Sequence, residues 1–124
     1  MSQTNLNTAL AYYQAINDKN LEAVAQYLHP EITLLSPLGE VIGKDATLQA
    51  AKGFSSMLKK ITIRAQFVGQ DQIMLAFDID FLESIGIIRS AVLMSFRDGL
   101  ISRNEMFYDP RAIESNAGKI FSRT

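Results

Sequence analysis

The chain has 124 residues, 48% of them apolar and 20% charged, with a formal net charge of −1. That length suits one domain with a core of its own, and scattered basic residues exclude the concentrated positive face that nucleic-acid binding requires. Cysteine is absent, which excludes disulfides, thiolate metal sites and a cysteine nucleophile.

The opening MSQTNLNTALAYY has no basic segment followed by an apolar run. No stretch reaches the roughly 20 apolar residues of a membrane span, so the sequence reads as a cytoplasmic protein with no membrane partner. Leu6, Ala9, Leu10, Tyr13 and Ile16 recur at helical spacing, with Thr4 or Asn5 as the cap, and Asn17-Asp18-Lys19-Asn20 ends this first helix. Leu21, Val24, Ala25 and Leu28 predict a second, shorter helix that Pro30 stops, because a proline pushes the residue before it out of the α region. His29, the only histidine, then falls at the end of that helix. A cap whose charged form is favoured by the helix dipole is its plainer role, beside one in proton transfer.

Ser36-Pro37-Leu38-Gly39 and Gly43-Lys44-Asp45 frame a short hairpin, after which Asp45 caps a third helix to about Lys59, with Leu48, Ala51, Phe54, Met57 and Leu58 as its apolar members. From Ile61 the period becomes two, and strands are predicted from Ile61 to Phe67, Ile73 to Glu83, Ile87 to Arg97 and Leu100 to Asp109. Gly69-Gln70-Asp71, Ser84-Ile85-Gly86 and Asp98-Gly99 turn between them, the last being a strong hairpin signal because both residue types tolerate positive φ. Residues 110–124 form a polar tail whose Ile113, Ile120 and Phe121 can fold back on the body.

The order predicts a single α+β domain over residues 1–124, with helices on one face of a meandering antiparallel sheet. The strand at 87–97 is apolar on both parities: Ile88, Val92, Met94 and Phe96 on one, Ile87, Ala91 and Leu93 on the other. A sheet with helices on one side should wet its other face, so the second apolar side predicts a homodimer through a two-fold contact.

AYYQAINDKNLEAVAQYLHPEITLLSPLG near the start and DGLISRNEMFYDPRA near the end resemble the nuclear transport factor two superfamily, in particular its SnoaL-like and ketosteroid-isomerase-like proteins. The resemblance covers roughly residues 4–112. It implies a cystatin-like cone: a curved antiparallel sheet wrapped around three helices, with a mostly apolar pocket. By the same resemblance, Tyr12 matches the tyrosine that stabilises the oxyanion in ketosteroid isomerases. Ser36 stands where they place the aspartate base, and their second aspartate falls at Leu93 or Met94. The acid that cyclases and epoxide hydrolases carry on the final strand falls at Met106, with Glu105 one residue off and so on the opposite face unless a bulge intervenes.

Two classes of function follow. The first is a protein holding a small apolar molecule, lined by Tyr12, Ser36, Met106 and Tyr108, with Met57 and Met94 near the cavity or filling the core. The second is an isomerase or lyase with Tyr12 as oxyanion donor and Asp109 or Glu105 as base. Asp109 equally suits ending a strand before Pro110, and Glu105 with Arg103 suits an ion pair at the dimer surface. A third reading is a non-catalytic dimerisation module. Asp78 and Asp80 share a strand face, but hard cations need further converging oxygens, and no metal or cofactor is expected.

Overall fold

The elements run α1 (Ser2–Asn17), α2 (Leu21–Gln26), β1 (Leu28–Ser36), β2 (Gly39–Ile42), α3 (Lys44–Met57), β3 (Leu58–Val68), β4 (Gln72–Phe81), β5 (Ile87–Arg97) and β6 (Leu100–Phe107) in a computed structural model that describes residues 2–82 and 85–113. All strands join one sheet in the order β2-β1-β6-β5-β4-β3, which is curved and does not close. The α+β class expected from the sequence is the one observed. The antiparallel meander over β3 to β6 is observed too, but β1 lies parallel to β6 and carries the short hairpin into the same sheet. Ser84, Ile120 and Phe121 lie outside the described residues, whereas Ile113 does fold back and is buried.

The expectations about the helix ends need correction. Thr4 and Asn5 cap nothing, because α1 already begins at Ser2. The second helix stops at Gln26, so Leu28 and His29 start β1 instead; Pro30 favours extended backbone just ahead of it, and Leu28 pairs with Ile101 across the parallel ladder. His29 is therefore no helix cap: its Nδ1 accepts from the Glu31 N–H at 3.0 Å, and Arg97 Nε lies 3.2 Å from its Nε2. The third helix is entered through Gly43 at φ 95° with no side-chain cap, leaving Asp45 in its first turn, where a carboxylate suits the positive end of the dipole. That helix ends at Met57 rather than about Lys59, and Leu58 opens β3.

Alternation sorts the strands into two faces. Ile73, Leu75, Phe77, Ile79 and Phe81 of β4, with Ile88, Val92 and Met94 of β5, are buried against the helices. Breaks in register within β3 and between β5 and β6 at Ser95/Phe96 each mark one extra residue, and between β1 and β6 the chain of β1 runs further out of step between Leu28 and Thr33. Such bulges bend a sheet and let it wrap. Asp98 and Gly99, at φ 56° and 77°, make the expected tight turn into β6. Among the described residues no helix is long and apolar enough to cross a membrane.

Candidate functional site

Between the helices and the concave face of the sheet lies a cavity of about 50 Å³, inside a wider envelope of about 640 Å³ that includes its open mouth. Helix α1 contributes Tyr12, Tyr13 and Ile16, which helical spacing sets on one side. Helix α3 contributes Thr47, Ala50, Ala51 and Phe54, again one helical stripe. The two alanines matter most here, since short side chains at the middle of that stripe leave the space that larger ones would fill. Ile79, Phe81 and Ile88 form the sheet wall, while Leu34, Ser36, Met106 and Tyr108 come from β1 and the end of β6. Phe54 meets Phe81 edge to face at 5.8 Å, closing one side.

The polar groups are few and neutral. Tyr12 and Tyr13 touch edge to face at 4.9 Å. Burial pushes the Tyr12 phenol up to about 12, with the nearby Asn104 amide opposing. Burial also raises Tyr13, Tyr12 adds to that, and Asn104 again opposes. Asn104 stands close to both rings, yet among the described residues Tyr13 Oη and Asn104 Oδ1 reach no partner at hydrogen-bond geometry. At the end of β6, burial raises the Tyr108 phenol and the Ser36 hydroxyl beside it opposes. Ser36 Oγ in turn accepts the Leu38 N–H at 3.1 Å, which holds the hairpin turn. A serine ahead of this proline thus has a structural job as well as a place in the cavity wall.

Of the residues singled out from the sequence, Tyr12, Ser36, Met106 and Tyr108 line the cavity. Met57 and Met94, expected near it, are buried but form no part of its wall. Met57 ends α3, and Met94 pairs with Ile73 and Asn104 deeper in the sheet. Glu105 pairs with Leu93 on the outer face, where its Oε1 lies 3.7 Å from Arg103 Nη2. A bulge does intervene in β6, but it brings Asn104 and Met106 inward and leaves Glu105 out. Asp109 is also outside the cavity wall. It caps the turn Pro110–Ala112 by accepting the Arg111 N–H at 3.1 Å, and the same arginine's side chain holds its carboxyl down at about 2. Asp78 faces outward and lies 3.5 Å from Arg64.

Tyr13, Thr47 and Asn104 were not singled out as site residues. Tyr13 reads as one more apolar position on α1, and Asn104 follows a bulge that period-two counting passes over. Among the described residues no group of three or more His, Cys, Asp or Glu could hold a metal ion. The cavity can therefore desolvate an apolar body and offer it hydroxyl groups, but among the described residues no carboxylate or imidazole forms its wall.

Comparison with known proteins agrees with this geometry at the level of fold. A protein of the nuclear transport factor two type from Cytophaga hutchinsonii superposes with a TM-score of 0.78 at 21% identity, over 88% of this chain and 93% of that one. A candidate ketosteroid isomerase from Kribbella flavida gives 0.76 at 16% identity, over 87% of this chain and 79% of that one. TerC, crystallised with polyporic acid, gives 0.76 at 18% identity, over 92% and 98%. No curated protein sequence matches the chain. The SnoaL-like domain family matches residues 9–104, which is most of the chain, and the protein belongs to that family.

Proposed function

We propose that this protein binds a small apolar molecule within its cone and does not transform it. The observation that carries the reading is the cavity's composition: an apolar wall with a few hydroxyls, in which Ser36 and Met106 occupy the positions where the resemblance would put a base. Space of roughly 10–15 Å³ is enough for one water, so the enclosed hollow takes several waters, and a compact ring fits by extending into the wider envelope at its mouth. The ligand of TerC, polyporic acid, is a reason to include aromatic compounds among the candidates.

The isomerase or lyase alternative requires a carboxylate within reach of the space before Tyr12. Glu105 turned to the outer face and Asp109 clamped by Arg111 weigh against it. The reading keeps the cytoplasmic location expected from a cysteine-free chain. It also includes a homodimer. A row of paired positions on the outer face, Phe67, Met74 and Leu93, runs toward Glu105 and Leu35, with Phe107 half exposed nearby. Arg64, Asp78, Arg89, Arg103 and Glu105 surround it with both signs of charge, and a mixed rim lets two identical surfaces meet without repulsion.

Thermal unfolding in the presence of toluene, indane and naphthalene tests the binding reading. A ligand held only by the folded state raises the melting temperature in proportion to the logarithm of its concentration above Kd. No rise with any of the three near their solubility limits would remove the proposal.

A further inference from the structure

Among the described residues, two hydroxyls in the cavity wall form no well-aligned hydrogen bond, although the Asn104 amide stands beside that of Tyr13. Tyr13 Oη and Thr47 Oγ1 are shut off from solvent and reach no hydrogen-bond partner among the described residues. Their residues are 3% and 1% exposed, and both line the cavity, from α1 and from α3 respectively. The adjoining Asn104 Oδ1 is a further buried polar atom with no partner at hydrogen-bond geometry among the described residues. Water-exposed hydroxyls are always satisfied; a buried, unpaired one destabilises the empty protein, and a ligand atom that pairs with it recovers that loss on binding. Phenylalanine and valine would pack in the same space without the penalty.

The rest of the wall limits what that ligand atom belongs to. No charged side chain lines the cavity among the described residues, and an ion brought into such a site loses its hydration with no counter-charge to replace it. A neutral oxygen is suitable, because a hydroxyl both donates and accepts and a carbonyl accepts, while Tyr and Thr hydroxyls can do either.

Resting on the binding reading above, we infer that the cavity selects a neutral, compact ring compound carrying a hydroxyl or carbonyl oxygen, with Tyr13 and Thr47 as the residues that bond that oxygen. Tyr12 and the cavity's aromatic and aliphatic side chains hold the ring itself.

Phenol and toluene differ by one heavy atom and have nearly the same shape, so calorimetric titration of each into the full chain isolates the oxygen. The expected result is roughly tenfold tighter binding of phenol, the worth of one or two net hydrogen bonds. Benzoate is expected not to bind. In Y13F and T47V, and in the double variant, the preference shifts toward toluene, and each variant melts higher than the parent without ligand. Should the double variant misfold, the single variants decide. Toluene binding as tightly as phenol, or a phenol preference that survives both single substitutions, overturns the inference and leaves the apolar-cavity reading standing. Benzoate binding as well as phenol overturns the neutrality it asserts. Failure of phenol and toluene alike, at near-saturating concentrations, removes the cavity reading and this inference together.

Discussion

The side chain of Asn17, the last residue of α1, grips the backbone of Ile61 at both ends: its Nδ2 donates to the Ile61 carbonyl at 2.9 Å, and its Oδ1 accepts the Ile61 N–H at 2.7 Å. An asparagine amide here replaces the strand that β3, at the sheet's edge, does not have on that side. The same contact fixes where α1 lies along the sheet, and so where Tyr12 and Tyr13 meet the cavity.

Replacing Asn17 by alanine removes both bonds and leaves two part-buried backbone groups to find water. A loss of about 1–3 kcal/mol in urea unfolding is expected. N17D, which keeps the acceptor but not the donor, should lose less than N17A at neutral pH.

The cavity depends on small residues along α3. Ala51→Leu puts a branched side chain into the hollow, and its expected effect is loss of every ligand-induced shift in melting temperature. Stability of the empty protein should stay within about 1.5 kcal/mol of the parent, because the added volume has space to enter. A ligand-induced shift in A51L equal to that of the parent would place binding elsewhere.

Alkaline titration reads the buried phenols. A folded-state pKa of about 12 for Tyr12, against 10.0 for the free group, means the unfolded chain gives up its proton first as pH rises. The contribution is therefore complete below about pH 10 and is lost progressively above it. The expected loss is of order 2–3 kcal/mol by pH 12. Y12F should flatten that decline in chemical-denaturation curves taken between pH 9 and 12.

Asp109 shows the opposite sign. Its folded pKa of about 2 lies below the usual 3.8, so what its pairing with Arg111 contributes is present above that ordinary value and fades as pH falls toward 2. Carbon-detected NMR of the carboxyl should give a midpoint near 2, moving toward the ordinary value in R111A. A midpoint above 5 in the parent would return Asp109 to consideration as a base.

The outer face predicts the assembly. Leu93→Glu sets a charge in the middle of the apolar row between Met74 and Glu105, and sedimentation at micromolar concentration should change from dimer to monomer. A parent chain that is already monomeric would contradict the dimer.

Much of the fold is legible in the sequence because two periodicities carry it. The stripe Ala9, Tyr13, Ile16 and the alternation Ile73, Leu75, Phe77 reflect single elements meeting a single core. What the sequence conceals is settled between elements. The parallel pairing of β1 with β6 joins residues about seventy positions apart, such as Leu34 and Asn104, and nothing local announces it. The bulge that turns Asn104 and Met106 inward is one residue long. For the same reason Tyr12, Ser36 and Met106 could be placed by resemblance, whereas the hydroxyls of Tyr13 and Thr47 could not. Each looks like an ordinary helix residue until its missing partner is seen.

The claim on which the rest turns is that the hollow beneath Tyr12 is open and apolar. Crystals equilibrated with pressurised xenon test it directly, since xenon enters dry apolar cavities and needs no particular hydrogen bond. A xenon peak enclosed by Tyr12, Ala51, Phe54 and Ile79 is the predicted result. Full side-chain density across that space, with no xenon at any pressure the crystal survives, would contradict it.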